Sequence, residues 1–386
     1  MSENILSSLK YRELNMKFNP VNFVTVNYFN ESMINRMHIE FKISHELETF
    51  DNHIQCSSWN SNGLLLCCGK SELGVQILKP FQNFQITTIP IERNHFLSET
   101  HFMSKQKNLL VVSTRNNQSF LFNSFNGLVT DNYVRIWDVE KDAFTKSYSF
   151  NGLVKKVATS TALPNQVWFN VDQRMQKIAE ADIRTPSHNT MQLNSVQRTR
   201  TGFLDSRTFD VNPVDEITIA VGDKCQLLFY DRRMMSSSSI NHPTKTIDTS
   251  SLNGDSSYVV QLKYNPSGNK LIITNSCGYN TNQYAAPSVD TSVENMRKFK
   301  FQDQTVRGAV TKNPSFLGEK YVLFDVFFKN YSAVFNLEDM RYIGKIDLFG
   351  QTNFFSNICS MPHPYYCLIA STNKSVINFV TPTSSN

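Results

Sequence analysis

A three-strand unit recurs along this chain, and the repeat constrains the fold more than any single residue does. It reads IQCSSWNSNGLLLCCGKSELGVQIL from Ile54, VKKVATSTALPNQVWFNVDQRMQKIAEADIR from Val154 and RTFDVNPVDEITIAVGDKCQLLFYDRR from Arg207. VVQLKYNPSGNKLIITNSCG from Val259 keeps two strands of the unit, and SNICSMPHPYYCLIASTNKSVINFV from Ser356 keeps all three. Weaker copies lie at His101–Val139 and Tyr321–Leu348. Each unit starts with an alternating strand and turns at Asn, Pro, Ser or Gly. An apolar strand follows, then a second turn, then a strand that ends near Asp. The spacing is about 40–50 residues, the range of repeat architectures that stack.

Leu64–Cys68, Ile217–Val221 and Leu271–Thr274 are short, apolar and bounded by turn residues. That is the pattern of a strand buried on both faces, and long amphipathic helices are nearly absent. A unit of this kind cannot cover both its faces alone, so the copies must stack around an axis. The expected fold is all-β: a single β-propeller of seven blades with an N-terminal extension. Hydrophobic residues make up 40% of the 386 residues, enough for a large core, and 29 Phe and 14 Tyr favour strands. The formal net charge of +5 is mild and gives no reason to expect direct nucleic-acid binding. No apolar run approaches the roughly 18 residues of a membrane span, and MSENILSSLKYRELNMK has no signal-peptide core. Seven cysteines, an odd number, are expected to be thiols in a reducing compartment. Cys67 and Cys68 are adjacent and no C-x2-C pair occurs, so neither a metal nor a cofactor is expected.

YVRIWDVEKDAF, Tyr133 to Phe144, resembles the closing strand of a WD repeat, with Trp137 packing between blades and Asp138 starting the turn. Tyr230–Asp231 and Ala181–Asp182 are degenerate equivalents. Over whole units the resemblance is closer. HELETFDNHIQCSSWNSNGLLLCCG, LVKKVATSTALPNQVWF, DVNPVDEITIAVGDKCQLLFYDRRM and NICSMPHPYYCLIAST are similar, in order, to blades of the WD-and-tetratricopeptide-repeat (adipose-type) proteins and of related cullin-4-associated factors. The tetratricopeptide segment of that family is missing; only Tyr279–Phe316 fills its place. The resemblance implies a substrate receptor of a cullin-4 RING ubiquitin ligase, docked through the damaged-DNA-binding adaptor. It also implies a protein substrate, chromatin-associated in one reading, and a cytoplasmic and nuclear location. The alternative is a non-catalytic WD-repeat scaffold of a chromatin or regulatory complex that does not dock a ligase.

Asp182-Ile183-Arg184 and Asp231-Arg232-Arg233 fall at equivalent places in neighbouring units. The family associates such an Asp-x-Arg with adaptor docking, which makes Asp182, Arg184, Asp231 and Arg233 the candidate adaptor-binding residues. Arginine suits docking because it is always charged and forms bidentate pairs. The competing reading is that each Arg only pairs with its own Asp or caps a turn carbonyl. Asp138-Val139-Glu140 lacks the Arg. Strand alternation turns Arg232 away from Arg233, so Arg232 should matter less for docking.

Other features read as scaffold. Pro362-His363-Pro364 is a rigid turn, and His53 sits where WD repeats place a structural His. Lys155–Lys156, Arg198/Arg200 and Arg297–Lys298 read as solvated turns, and Ser236–Ser239 as a polar loop. No phosphate loop, Gly-x-Ser-x-Gly or His-Glu-x-x-His occurs, so no enzyme is expected. An enzyme on such a ring would announce itself by acids or His lining the central channel. Residues 1–44 form the extension, with a ring-closing strand expected at 19–29 and a short helix at 32–41, and 45–386 the propeller. An excursion interrupts it at 279–315, and SFNGLV, present at 124–129 and again at 149–154, marks an irregular second blade.

Overall fold

The computed structural model describes the chain between Phe41 and Pro382, apart from 49–53, 71–73, 81–84, 93–94, 107, 117–131, 151–153, 155, 172–176, 194–207, 224–225, 250–258, 276–280, 286–296, 299–313, 327–330, 348–357, 363, 365–368 and 374–375. Its strands form seven sheets. Sheet I is Ile54–Trp59, Leu66–Lys70, Gly74–Lys79 and Gln85–Ile89, and sheet II is His95–Phe102, Leu109–Asn116, Asn132–Asp138 and Ala143–Phe150. Sheet III is Val157–Thr159, Gln166–Asn170, Lys177–Asp182 and His188–Leu193, with Ile240–Asn241 added in parallel at its edge. Sheet IV is Thr208–Val211, Thr218–Asp223, Gln226–Asp231 and Lys245–Asp248. Sheet V is Val259–Tyr264, Lys270–Asn275, Thr281–Ala285 and Arg297–Lys298, and sheet VI is Ser315–Leu317, Tyr321–Val326, Tyr331–Asn336 and Tyr342–Asp347. Sheet VII is Ile358–Pro362, Ile369–Asn373 and Val376–Pro382, completed by the N-terminal strand Phe41–Glu48.

The apolar runs follow from burial between sheets. In sheet III, Val167 and Phe169 pack towards sheet II, while Trp168 packs towards sheet IV. In sheet IV, Ile219 and Val221 face sheet III, and Ala220 faces sheet V with Leu262, Leu271 and Ile273. Side chains alternate across a strand, so a strand with a neighbour on each side is apolar at every position. The adjacent cysteines obey the same rule: Cys67 joins the cluster towards sheet II, and Cys68 the cluster around Ile377 of sheet VII. Trp137 packs between sheets I and II, edge-on to Phe144 at 4.8 Å.

The first strands of all seven sheets line one central channel. The turns that leave those strands bond to one another around it. Trp59 Nε1 donates to Met361 O (3.0 Å), Gln106 Nε2 to Asn165 Oδ1 (2.9 Å), Ala162 N–H to Pro213 O (2.9 Å) and Asn265 Nδ2 to Glu319 Oε2 (3.0 Å). Asparagine recurs at the end of the first strand for a physical reason. Asn60 accepts from Leu65 N–H, Asn212 from Val214 N–H and Asn265 from Lys270 N–H, so each side chain holds its own turn. Asn212 Nδ2 also donates to Gly268 O at 3.0 Å. Gly268 has φ +70°, and a Cβ there would stand 2.2 Å from Asn212 Oδ1, so only glycine fits. The architecture is an all-β propeller.

Two expectations change. The strand that completes sheet VII is Phe41–Glu48, in antiparallel register with Val376–Pro382, so the boundary drawn at residue 44 falls inside it. Residues 19–29, expected to supply this strand, lie outside the described residues, as does the helix expected at 32–41 save Phe41, which begins the strand. Between 279 and 315 the chain carries two strands of sheet V, because Thr281–Ala285 extends the ladder begun by Lys270–Asn275. Arg297–Lys298 is the edge of that sheet and not a solvated turn. His53, His363, Lys155, Arg198, Arg200 and the first SFNGLV copy are outside the described residues.

Candidate docking face

In sheets I to VI the first-to-second and third-to-fourth connections lie at the same end, because the strands are antiparallel. The bonds between neighbouring first turns place all these ends on one face of the ring. Both Asp-x-Arg sequences sit on that face, where the third strands of sheets III and IV end.

The local geometry is repeated. Asp182 Oδ1 accepts from the N–H of Arg184 (2.9 Å), and the Arg184 guanidinium returns to the carboxylate with Nε at 2.9 Å and Nη2 at 2.6 Å. Asp231 Oδ1 accepts from the N–H of Arg233 (2.9 Å), with Nε at 3.1 Å and Nη2 at 2.7 Å. The side-chain bond from each Arg, helped by the backbone N–H, outweighs burial and holds both carboxyls below their usual range. Asp138 Oδ1 accepts from Glu140 N–H (3.0 Å), and Asn336 Oδ1 from Glu338 N–H (2.7 Å). The Asp of the unit is therefore first a turn-former, and Asn does the same job. In sheets III and IV an arginine two residues on is held tightly over that Asp. Sheet VI has a looser Asp-x-Arg in the same connection, where Arg341 N–H donates to Asp339 Oδ1 (3.0 Å) and its Nε stands 3.8 Å from Oδ2. In sheet II, Lys141 pairs with Asp138 at 3.0 Å.

Neighbouring sheets support both turns. Tyr148 Oη, from the outer strand of sheet II, donates within 3.3 Å of Asp182 O and Thr185 O. Arg232 starts a single 3-10 turn, Arg232–Met234, and reaches back to sheet III. Its Nε and Nη2 donate to Glu180 Oε1 at 2.9 and 2.6 Å, and both side chains are mostly buried. Arg232 does point away from Arg233, but it bridges the two sheets and is not an idle position. The link also sets the two Asp-x-Arg turns side by side.

Pairing with its own Asp does not hide either arginine. The Arg184 and Arg233 side chains are 68% and 66% exposed. Each uses two of the five guanidinium N–H donors on Asp and leaves three pointing outward. Two exposed apolar side chains share their face, Met234 beside Arg233 and Val214 on the first turn of sheet IV, while exposed Ile240 pairs with Gln192 at the end of sheet III away from Asp182. The polar segment Ser236–Ser239 is tied down there by Asn241, which accepts from Ser236 N–H and donates to Ser236 O.

The channel holds a second set of groups, which no sequence motif marks. Glu99 and His101 project from the first strand of sheet II, Asp210 from sheet IV and Lys263 from sheet V, and Lys156 stands just before the first strand of sheet III. Lys156 therefore lines the channel and does not sit in the solvated turn expected for it. Glu99 Oε2 accepts from Val157 N–H, and Asp210 Oδ2 from Tyr264 N–H at 2.8 Å. Each carboxyl thus ties its sheet to the next, and burial pushes both upward against the pull of Lys156 and Lys263. Burial, with Lys263 and Lys156, holds His101 at about 3, so its imidazole is neutral. Among the described residues no three His, Cys, Asp or Glu side chains converge to hold a metal ion. No helix among them is long and apolar enough to cross a membrane.

No protein-family profile matches the chain, and no curated protein matches it in sequence. Solved structures do match in fold. The β-propeller domain of Cps50 (Swd1) from Myceliophteria thermophila superposes with a TM-score of 0.65 at 14% identity, covering 88% of this chain and 100% of that one. A chain of the mitotic checkpoint complex gives 0.64 at 13% identity, covering 90% of this chain and 97% of that one. At these identities the likeness shows the fold alone, and on that ground this chain is an all-β propeller.

Proposed function

We propose that this chain is a seven-bladed, non-catalytic protein-interaction propeller of the WD-repeat kind. In this reading it is a substrate receptor of a cullin-4 RING ubiquitin ligase, acting in cytoplasm and nucleus. It docks the damaged-DNA-binding adaptor through Arg184 and Arg233. The observation that carries the reading is the pair of adjacent Asp-x-Arg turns, each with an exposed guanidinium already oriented by its own Asp. Such an arginine loses little further freedom on binding, and arginines beside apolar side chains are what interface centres use. Seven sheets around one channel support the blade count. Glu99, His101 and Asp210 do line the channel, the sign an enzyme on such a ring would give, and the non-catalytic reading rests on each carboxyl holding a backbone N–H of the next sheet.

One observation favours the rival, a WD-repeat scaffold of a chromatin or regulatory complex with no ligase docking. The Asp-Arg pairing is complete within each turn, so the fold needs no partner there. Co-purification separates the two. Arg184→Ala with Arg233→Ala should leave thermal stability nearly unchanged and abolish recovery of the adaptor and cullin. Recovery at the wild-type level would end the docking reading and leave the scaffold.

A further inference from the structure

We propose that the central channel is a binding site for a small anion bearing phosphate or carboxylate groups, held by the ammonium groups of Lys156 and Lys263. The channel is a cavity of about 470 Å³ walled by the first strands of the sheets. That lies within the range of small-molecule sites. Its lining continues to Asn60, Pro213 and Asn265 of the first turns, so it opens on the face that carries the arginines.

The two lysines are built into the walls. Lys156 donates its N–H to Asn170 Oδ1 and accepts from Asn170 N–H at its carbonyl, which fixes the backbone from which its side chain enters. Lys263 sits between the buried Leu262 and Tyr264, and alternation turns it to the channel. Neither ammonium forms an ion pair within 4 Å among the described residues. The carboxyls of Glu99 and Asp210 share the channel and feel both lysines, but one oxygen of each is taken by the N–H of Val157 or Tyr264. Neutral His101, on the same side of its strand as Glu99, adds a donor and an acceptor without charge. Lysine is a compact point charge, suited to tetrahedral phosphate or to a carboxylate alike. The opposing reading is that the lysines serve only to balance Glu99 and Asp210.

The test uses the purified full chain, with pyrophosphate and citrate as probes and sodium chloride to match ionic strength. Bound anion raises the melting temperature saturably, and calorimetry gives Kd. Lys156→Gln and Lys263→Gln should each weaken Kd by about tenfold or more. A response to pyrophosphate alone assigns a phosphate ligand, and one to citrate alone a carboxylate. No effect beyond chloride, or an unchanged Kd in the double variant, would overturn the proposal. If the double variant does not fold, amine-reactive labelling of the wild-type protein decides. The anion must protect Lys156 and Lys263, and equal labelling with and without it refutes the site.

Discussion

Gly222→Ala tests the packing that turns separate sheets into a ring. Gly222 lies in the second strand of sheet IV, against the first strand of sheet V. A Cβ there would stand 2.4 Å from Val259 Cγ1, 2.9 Å from Val259 Cβ and 3.2 Å from Thr208 Cγ2. Carbon atoms pack at about 3.5–4.0 Å, so the overlap with Val259 exceeds about 1 Å. Rotating Val259 moves Cγ1 but not Cβ, and Val259 is fully buried, so the sheets themselves must part. Overpacking of this kind costs about 1–3 kcal/mol, or a fall of roughly 1–4 °C in melting temperature for a chain of 386 residues. Val259→Ala alone should also destabilise, by leaving a cavity. The double variant Gly222→Ala with Val259→Ala should then be more stable than the sum of the single effects, by about 0.5–3 kcal/mol. Thermal and denaturant unfolding of the four proteins give the coupling. A Gly222→Ala protein that melts with the wild type, or effects that simply add, would refute the account of how sheets IV and V meet.

Arg232→Met leaves the mostly buried Glu180 without its partner and should cost about 1–3 kcal/mol in denaturant melts, while Glu180→Gln with Arg232→Met should recover most of it. A chain beginning at Thr49 lacks the strand Phe41–Glu48 and its register with Val376–Pro382. It should lose about 3–5 kcal/mol, and unchanged denaturant midpoints would show that sheet VII does not need that strand. Glu99 titrates above its unfolded value, so its favourable contribution is complete below about pH 4 and is lost as pH rises through the folded pKa. Glu99→Gln should therefore be at least as stable as the wild type at pH 7 and flatten the pH dependence; a clear loss at pH 7 would show that the carboxylate form is the stabilising one.

Much of the fold was legible in the sequence because burial between sheets leaves runs such as Leu227–Tyr230, apolar at every position. All seven sheets correspond to a copy of the repeat. Other parts left weak signals, each for a physical reason. The first strand of sheet VI, Ser315–Leu317, has three residues, too few to show a period. The first strand of sheet II, HFLSETHF, is polar at Glu99 and His101 because those side chains face the channel, so its copy is legible only from His101. Lys156 reads as a turn lysine because the strand after it, Val157–Thr159, is equally short. The short parallel strand Ile240–Asn241 crosses from sheet IV to the edge of sheet III and has no local pattern at all. The Asp-x-Arg pairs are visible as a repeated phase. That each Asp also forms a turn, as Asp138 and Asn336 do, needed the hydrogen bonds.

The most direct measurement of the central claim is binding of the purified chain to the purified damaged-DNA-binding adaptor, for the wild type and for Arg184→Ala with Arg233→Ala. The account predicts a complex with the wild type and at least about thirtyfold weaker binding for the double variant, with its melting temperature nearly unchanged. Equal binding by both proteins, or no binding by either, would contradict it.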